Sequence, residues 1–235
     1  MAGPDKRDEL RLLINSRHPI ITVETSEEGR VEGLLAEVAA ELDIPFYTWS
    51  VTTGLVRRGN DQAMYETEDP EKLLAALAQM RGDGIFLLRD MARYLEQDKV
   101  LRRLRELATN FREMRRSVIL SAPVIKTPPE LADDVVVFHL ALPDAGLLLK
   151  VTQATIAEFG ANTRFKMALS QEGIRRLGES LAGLTLDEAR RTLAKCLLAR
   201  NCCDEQTIAA VIEAKRSALR QEGVMEYLKV DESFA

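Results

Sequence analysis

The sequence is short of the residues from which many sites are built. It has 3 cysteines, 2 histidines and 1 tryptophan in 235 residues, and aromatic residues make up 5%. The cysteine count is odd, and Cys202 and Cys203 are adjacent. That argues against a framework of spaced disulfides and fits a reducing compartment, so a cytoplasmic location is expected. His18 and His139 stand alone, with no HExxH, CxxC or paired-histidine spacing, so no metal site is expected. No apolar run approaches the ~20 residues that a membrane span needs, and no signal peptide is expected. A strong charge of one sign is missing too. Against 37 acidic residues stand 32 basic ones, a net charge of -5, so nucleic-acid binding by bulk charge is not expected. What is present is 46% hydrophobic and 29% charged residues, enough for a core and against disorder.

Five apolar or β-branched runs all lie before residue 141: Pro19–Val23, Ile44–Ser50, Ile85–Leu88, Val118–Leu120 and Val135–Leu140. Nearly uniform apolarity suits strands buried on both faces of a parallel sheet. The connections read as helices. Ser26 is a candidate N-cap, followed by Val31, Leu34, Leu35, Val38 and Leu42 at helical spacing. Asp69-Pro70-Glu71 combines an N-cap with proline in the first turn. An apolar stripe from Val100 to Met114 predicts a helix over about 99–116. After Pro143 the pattern predicts no strand, only helices near 144–159, 170–182, 185–200 and 204–221. Thr185-Leu186-Asp187-Glu188 is a capping-box sequence. The expected organisation is a helix over 1–17, a five-stranded parallel three-layer α/β core over 18–143, a small all-helical domain over 144–222 and a linker over 223–235.

Sheets of this kind bind ligands at the carboxyl ends of their strands. Laid on the phosphate-loop pattern G-x-x-x-x-G-K-[ST], the loop after the first run matches at Gly29 alone. Glu24 stands for the first glycine, Arg30 for the lysine and Val31 for the magnesium-binding hydroxyl. Carboxylates at Glu24, Glu27 and Glu28 would satisfy the helix dipole themselves and repel a polyphosphate. The third run ends in Arg89-Asp90, where a phosphate-loop ATPase places two acids. Arg89 falls on the magnesium position, and guanidinium has no acceptor. Asp90 reads as a cap for the next helix. Ser121, at the end of the fourth run, occupies the place of a polar sensor residue, though a hydroxyl at a strand end is commonplace.

In combination these features resemble an AAA+ module, a RecA-like core with a helical lid. The stretches that carry the resemblance are the acidic loop at Thr25–Glu28, Ile85–Met91, Ser117–Pro123, Pro128–Leu131, Val135–Asp144 and Gly183–Ala189. Leu10–Ile14, Arg17–Ile21, Tyr47–Ser50, Thr53–Leu55 and the tail Glu226–Ala235 are similar to the N-terminal half of the cyanobacterial and plastid AAA+ ATPases first recorded as a hypothetical chloroplast reading frame. That resemblance implies a strand order of 5-1-4-3-2, a hexamer-forming parent protein, and a second module that carries the intact phosphate loop together with ATP and magnesium. The chain is then expected to be a fragment that holds no cofactor of its own. Its partners would be its own C-terminal module, neighbouring subunits and an unknown protein client.

The helix over 99–116 is basic, with Arg102, Arg103, Arg112 and Arg116 away from its apolar stripe. A solvated face is the ordinary reading. A subunit or partner contact comes next, and nucleic acid third, since few aromatics accompany the charges. Cys196, Cys202 and Cys203 read as inert thiols, and no nucleophile has an evident base. The leading expectation is therefore a pseudo-ATPase module for assembly or partner binding, with no catalytic residue in this chain. The alternatives are a clamp-loader-like scaffold subunit that binds DNA through the basic helix, and an enzyme with an unrecognised site at the strand ends.

Overall fold

A strand that is apolar on both faces must be covered on both. The computed structural model, which describes residues 6–60, 62–160 and 165–221, meets that demand with three layers. The elements of the first unit are α1 (Lys6–Asn15), β1 (Ile20–Glu24), α2 (Glu28–Leu42), β2 (Phe46–Ser50) and β3 (Gly54–Arg57). They continue with α3 (Pro70–Gln79), β4 (Gly84–Arg89), α4 (Asp98–Phe111), β5 (Arg116–Ala122) and β6 (Val135–Val137). The sheet order is β3-β2-β4-β5-β1-β6. Alternate residues of each strand face opposite layers. Ile21, Val23, Ile85, Leu87 and Ile119 pack against Leu10 and Ile14 of α1 and Val31, Leu35 and Val38 of α2. Ile20, Phe86, Leu88, Val118 and Leu120 pack against Leu73 and Leu77 of α3 and Leu104, Leu107 and Phe111 of α4.

The five expected strands occur in the expected order, but the sheet has six. The extra strand, β3, pairs antiparallel with β2 (Trp49 opposite Leu55) and closes a hairpin. Gly54 permits this turn. Its φ is +67°, and a Cβ there would lie 2.8 Å from Thr67 Oγ1, the atom that accepts the Leu55 N–H. Trp49 is fully buried and donates its indole N–H to Thr67 O. The last strand is shorter than its apolar run, three residues rather than six.

The chain divides into two units between Ala141 and Leu142. The second contains α5 (Ala145–Gly160), α6 (Gln171–Ser180), α7 (Leu186–Arg200) and α8 (Glu205–Gln221) around Leu148, Leu177, Leu193, Leu197 and Val211. Thr185 and Glu188 form the capping box at the start of α7. This unit is not wholly helical. Lys166–Met167 (β7) and Cys202–Cys203 (β8) pair in parallel, a bridge too short to leave a period-2 signal. The segment expected as a linker, 223–235, lies outside the described residues. None of the described helices is long and apolar enough to cross a membrane.

One expected surface residue is a core residue. Arg116 is the first residue of β5, not the last of a helix, because α4 ends at Phe111. It is 3% exposed. Its guanidinium lies 4.2 Å from the Phe111 ring centroid and 5.3 Å from that of Phe86. It donates to Met80 O at 2.9 Å and Leu77 O at 3.1 Å, capping the C-terminal end of α3. Placed there, a cation satisfies orphan carbonyls and the helix dipole together, so Arg116 cannot belong to an exposed interface. Arg116→Met should lower stability by about 2–4 kcal/mol, since it deletes charge-assisted hydrogen bonds and cation–π contacts. A urea melt followed by circular dichroism measures the shift.

Candidate functional site at the carboxyl edge of the sheet

β1 hands over to α2 through a three-residue connection, Thr25-Ser26-Glu27. The cap of α2 is Glu27, not Ser26, and its side chain makes no capping hydrogen bond. Instead Thr25 Oγ1 accepts the Glu27 N–H at 3.0 Å, a local turn that fixes the entry. Glu24 reaches across the sheet edge and accepts the Ile125 N–H at 2.8 Å. Thr25 N–H extends the β1–β5 ladder to Ala122 O. Gly29, Arg30 and Val31 already lie in the first turn of α2, and Gly29 has no positive φ. A phosphate loop needs free amides in a wide turn before the helix. Here the four phosphate-loop positions are a tied strand end and ordinary helix.

The electrostatics follow the same pattern. Glu27 is buried and ion-paired with Arg30, whose guanidinium also donates to Ala141 O. Arg89, the last residue of β4, points to the α2 side. Its guanidinium is bonded to Glu32 and lies 3.4 Å from Glu28 Oε2. Arg58, after β3, lies 3.6 Å from Glu32 Oε1. In the register Arg89 stands opposite Ser121. The Ser121 hydroxyl is buried without a hydrogen-bond partner. Its main-chain carbonyl accepts the Asp90 N–H at 2.8 Å. Asp90 takes a left-handed φ of 55° at the start of a 3-10 turn, Met91–Tyr94, and its side chain caps nothing. Glu32 escaped the sequence reading, although its i,i+4 spacing from Glu28 is the signal that could have found it.

The other nominated residues do not gather here. On α4, Arg102 pairs with Glu106, and Arg112, just past the helix, pairs with Asp134. Arg103 is exposed on the same helix. Among the cysteines, burial pushes the Cys196 thiol up, and burial first and Asp204 second push Cys203 up to about 11. Thiols so protonated are poor nucleophiles. Among the described residues no group of three His, Cys, Asp or Glu could hold a metal ion.

A mainly parallel sheet flanked by helices, its N-terminal unit followed by a helical one, is the architecture of an AAA+ module, and solved structures share it. Caenorhabditis elegans PCH-2 aligns with a TM-score of 0.55 at 10% identity, over 92% of this chain and 69% of that one. The AAA domain of FIGL-1, solved with ADP, aligns at 0.54 and 13%, over 94% and 87%. A single-residue variant of Thermotoga maritima RuvB aligns at 0.53 and 12%, over 94% and 70%.

The chain belongs to the SpoVK-like AAA ATPase family, whose N-terminal domain matches residues 6–140 and whose second domain matches 148–222. Two similar relatives are uncharacterized AAA domain-containing proteins named ycf46. The one from Trieres chinensis is 28% identical over 232 residues, and the one from Pyropia yezoensis 27% over 222. The alignments cover 96% and 93% of this chain but 44% of each relative, so the chain spans less than half their length.

A glycine in a working phosphate loop is needed for its backbone. Gly29 sits in a helix, with nothing within 4 Å of the place a Cβ would occupy. Gly29→Ala should therefore raise stability by about 0.5–1 kcal/mol, as for an exposed helix glycine. Thermal melts of the two proteins give the sign.

Proposed function

We propose that this chain is a non-catalytic, pseudo-ATPase AAA+ module of a larger AAA+ ATPase. Its work is assembly and partner binding, and ATP binding and hydrolysis belong to a C-terminal module. The observation that carries this reading is Arg89. A magnesium-nucleotide site needs an acid at that strand end, and the position holds a cation already neutralised by Glu28 and Glu32 of α2. The helix N-terminus that would cradle phosphate carries carboxylates at Glu27 and Glu28, and like charges repel there. The share of the relatives left uncovered, more than half, supports a second module elsewhere in the protein. Neighbouring subunits of an oligomeric parent and a protein client are the partners this reading implies.

The DNA-scaffold alternative draws no support from the basic helix. Arg116 is buried, and Arg102 and Arg112 have acidic partners, so the expected four-arginine surface does not form.

Isothermal titration of the chain with Mg-ATP is the test. No saturable heat up to about 1 mM nucleotide is expected. A dissociation constant near ~1 µM, lost on Arg30→Ala and so mapped to the Thr25–Val31 segment, would overturn the proposal.

A further inference from the structure

A sheet that does not close into a barrel has two edges, and a free edge is a row of unpaired N–H and C=O groups. The two edges of this sheet are treated differently. At β3 the chain folds back over its own edge. Ala63 bridges to Val56, Met64 donates its N–H to Leu55 O at 2.8 Å, and Thr67 Oγ1 accepts the Leu55 N–H. The exposed Arg57 and Arg58 stand at the end of β3, charges of the kind that discourage further pairing. At the other edge β6 is Val135-Val136-Val137, with neither a charge nor a proline.

The register decides which groups of β6 are free. The strand runs parallel to β1 with Thr22 beside Val137, and Phe138 donates its N–H to Thr22 O at 2.8 Å. Successive residues of a strand turn their N–H and C=O to opposite sides. Val136 and Phe138 therefore turn theirs to β1, and Val135 and Val137 turn theirs outward. Among the described residues nothing pairs with that outward side. Val137 is 50% exposed, and Val135 and Val136 are half-buried. The two ends of the strand differ in charge. Exposed Asp133 precedes it and exposed His139 follows it, and neither side chain bonds to a described residue.

We infer that the β6 edge pairs with the β6 edge of a second copy of this chain, antiparallel about a two-fold axis through Val136. In that register Val135 of each copy stands opposite the partner's Val137. Outward-facing residues directly opposed in this way exchange both of their N–H···O bonds, so no outward group of the strand is left unpaired. Val135 and Val137 share a face, so each exposed Val137 is covered by the partner's Val135. The flanking charges set the direction. Antiparallel pairing brings the end that carries Asp133 to the end that carries the partner's His139, an acceptor beside a donor. Parallel pairing would bring the two Asp133 ends together. A contact of one patch with itself closes at two subunits and joins the two sheets into one. The inference rests on the reading of the chain as an assembly module, and it requires nothing of the nucleotide positions.

Sedimentation equilibrium of the 235-residue chain without nucleotide, from about 5 µM to about 1 mM, tests the pairing. A monomer–dimer equilibrium is expected, with a dissociation constant of about 10–200 µM. Val137→Pro removes an outward N–H alone, the place where an edge strand tolerates proline, and should weaken the dimer at least tenfold. Should a circular dichroism melt show that this variant does not fold, Val137→Lys puts a charge on the same half-exposed position and carries the same expectation. Asp133→Lys should weaken the dimer several-fold, and Asp133→Lys/His139→Asp should recover most of that loss. Hydrogen exchange read by NMR locates the contact: the Val135 and Val137 amides should exchange several-fold more slowly at the highest concentration than at the lowest. A monomer throughout, a dimer that a folded Val137 variant leaves intact, or a dimer whose Val135 and Val137 amides exchange at an unchanged rate would overturn the proposal. Nucleotide has no part in these measurements, so such a result leaves the non-catalytic reading standing.

Discussion

A guanidinium held at the end of a buried parallel strand must be neutralised by something within reach. At the end of β4, Arg89 finds Glu28 and Glu32 one turn apart on α2. Arg89 and Glu32 are both half-buried, and their contact joins the centre of the sheet to the helix that covers it. Around that contact the rest falls into place. The connection from β1 is three residues long and is closed by the Thr25 Oγ1 bond to the Glu27 N–H. Glu27 can be buried because Arg30 turns back to meet it. Gly29 can be helical because no backbone turn is needed. In a phosphate-loop protein a bound anion and its metal join these same elements; here the chain supplies both signs of charge itself.

Arginine plays this internal part repeatedly. Arg30, Arg89 and Arg116 each place a planar fork where carbonyl or carboxylate oxygens would otherwise be left without a donor. The fork meets several acceptors at once without losing its charge, which lysine cannot do so readily. Arg116 shows the extreme, held against Phe86 and Phe111 while it caps α3. A count of basic residues along α4 reads the same arginine as surface charge, because the count is blind to where the helix stops.

Much of the fold is legible in the sequence because its signals are local. Short apolar or β-branched runs mark the five parallel strands, three of them nearly uniform, Asp69-Pro70 marks the start of α3, and Thr185–Glu188 marks that of α7. The hairpin strand β3 leaves no such mark, because it runs into two arginines and depends on one positive φ at Gly54. The β7–β8 bridge leaves none because two residues have no periodicity. At the candidate site, each departure from the phosphate-loop pattern is visible residue by residue. The partner of Arg89 is not, since Glu32 lies 57 positions away in sequence and only the packing of α2 on the sheet joins them.

If the chain is the non-catalytic module proposed above, the Arg89–Glu32 contact is the tie between the sheet and α2. A double-mutant cycle on Arg89→Met and Glu32→Gln, read as unfolding free energy in urea, tests it directly. The expected coupling is about 1 kcal/mol or more, undiminished when Mg-ATP is added. A coupling indistinguishable from zero, or one that appears only with nucleotide present, would contradict it.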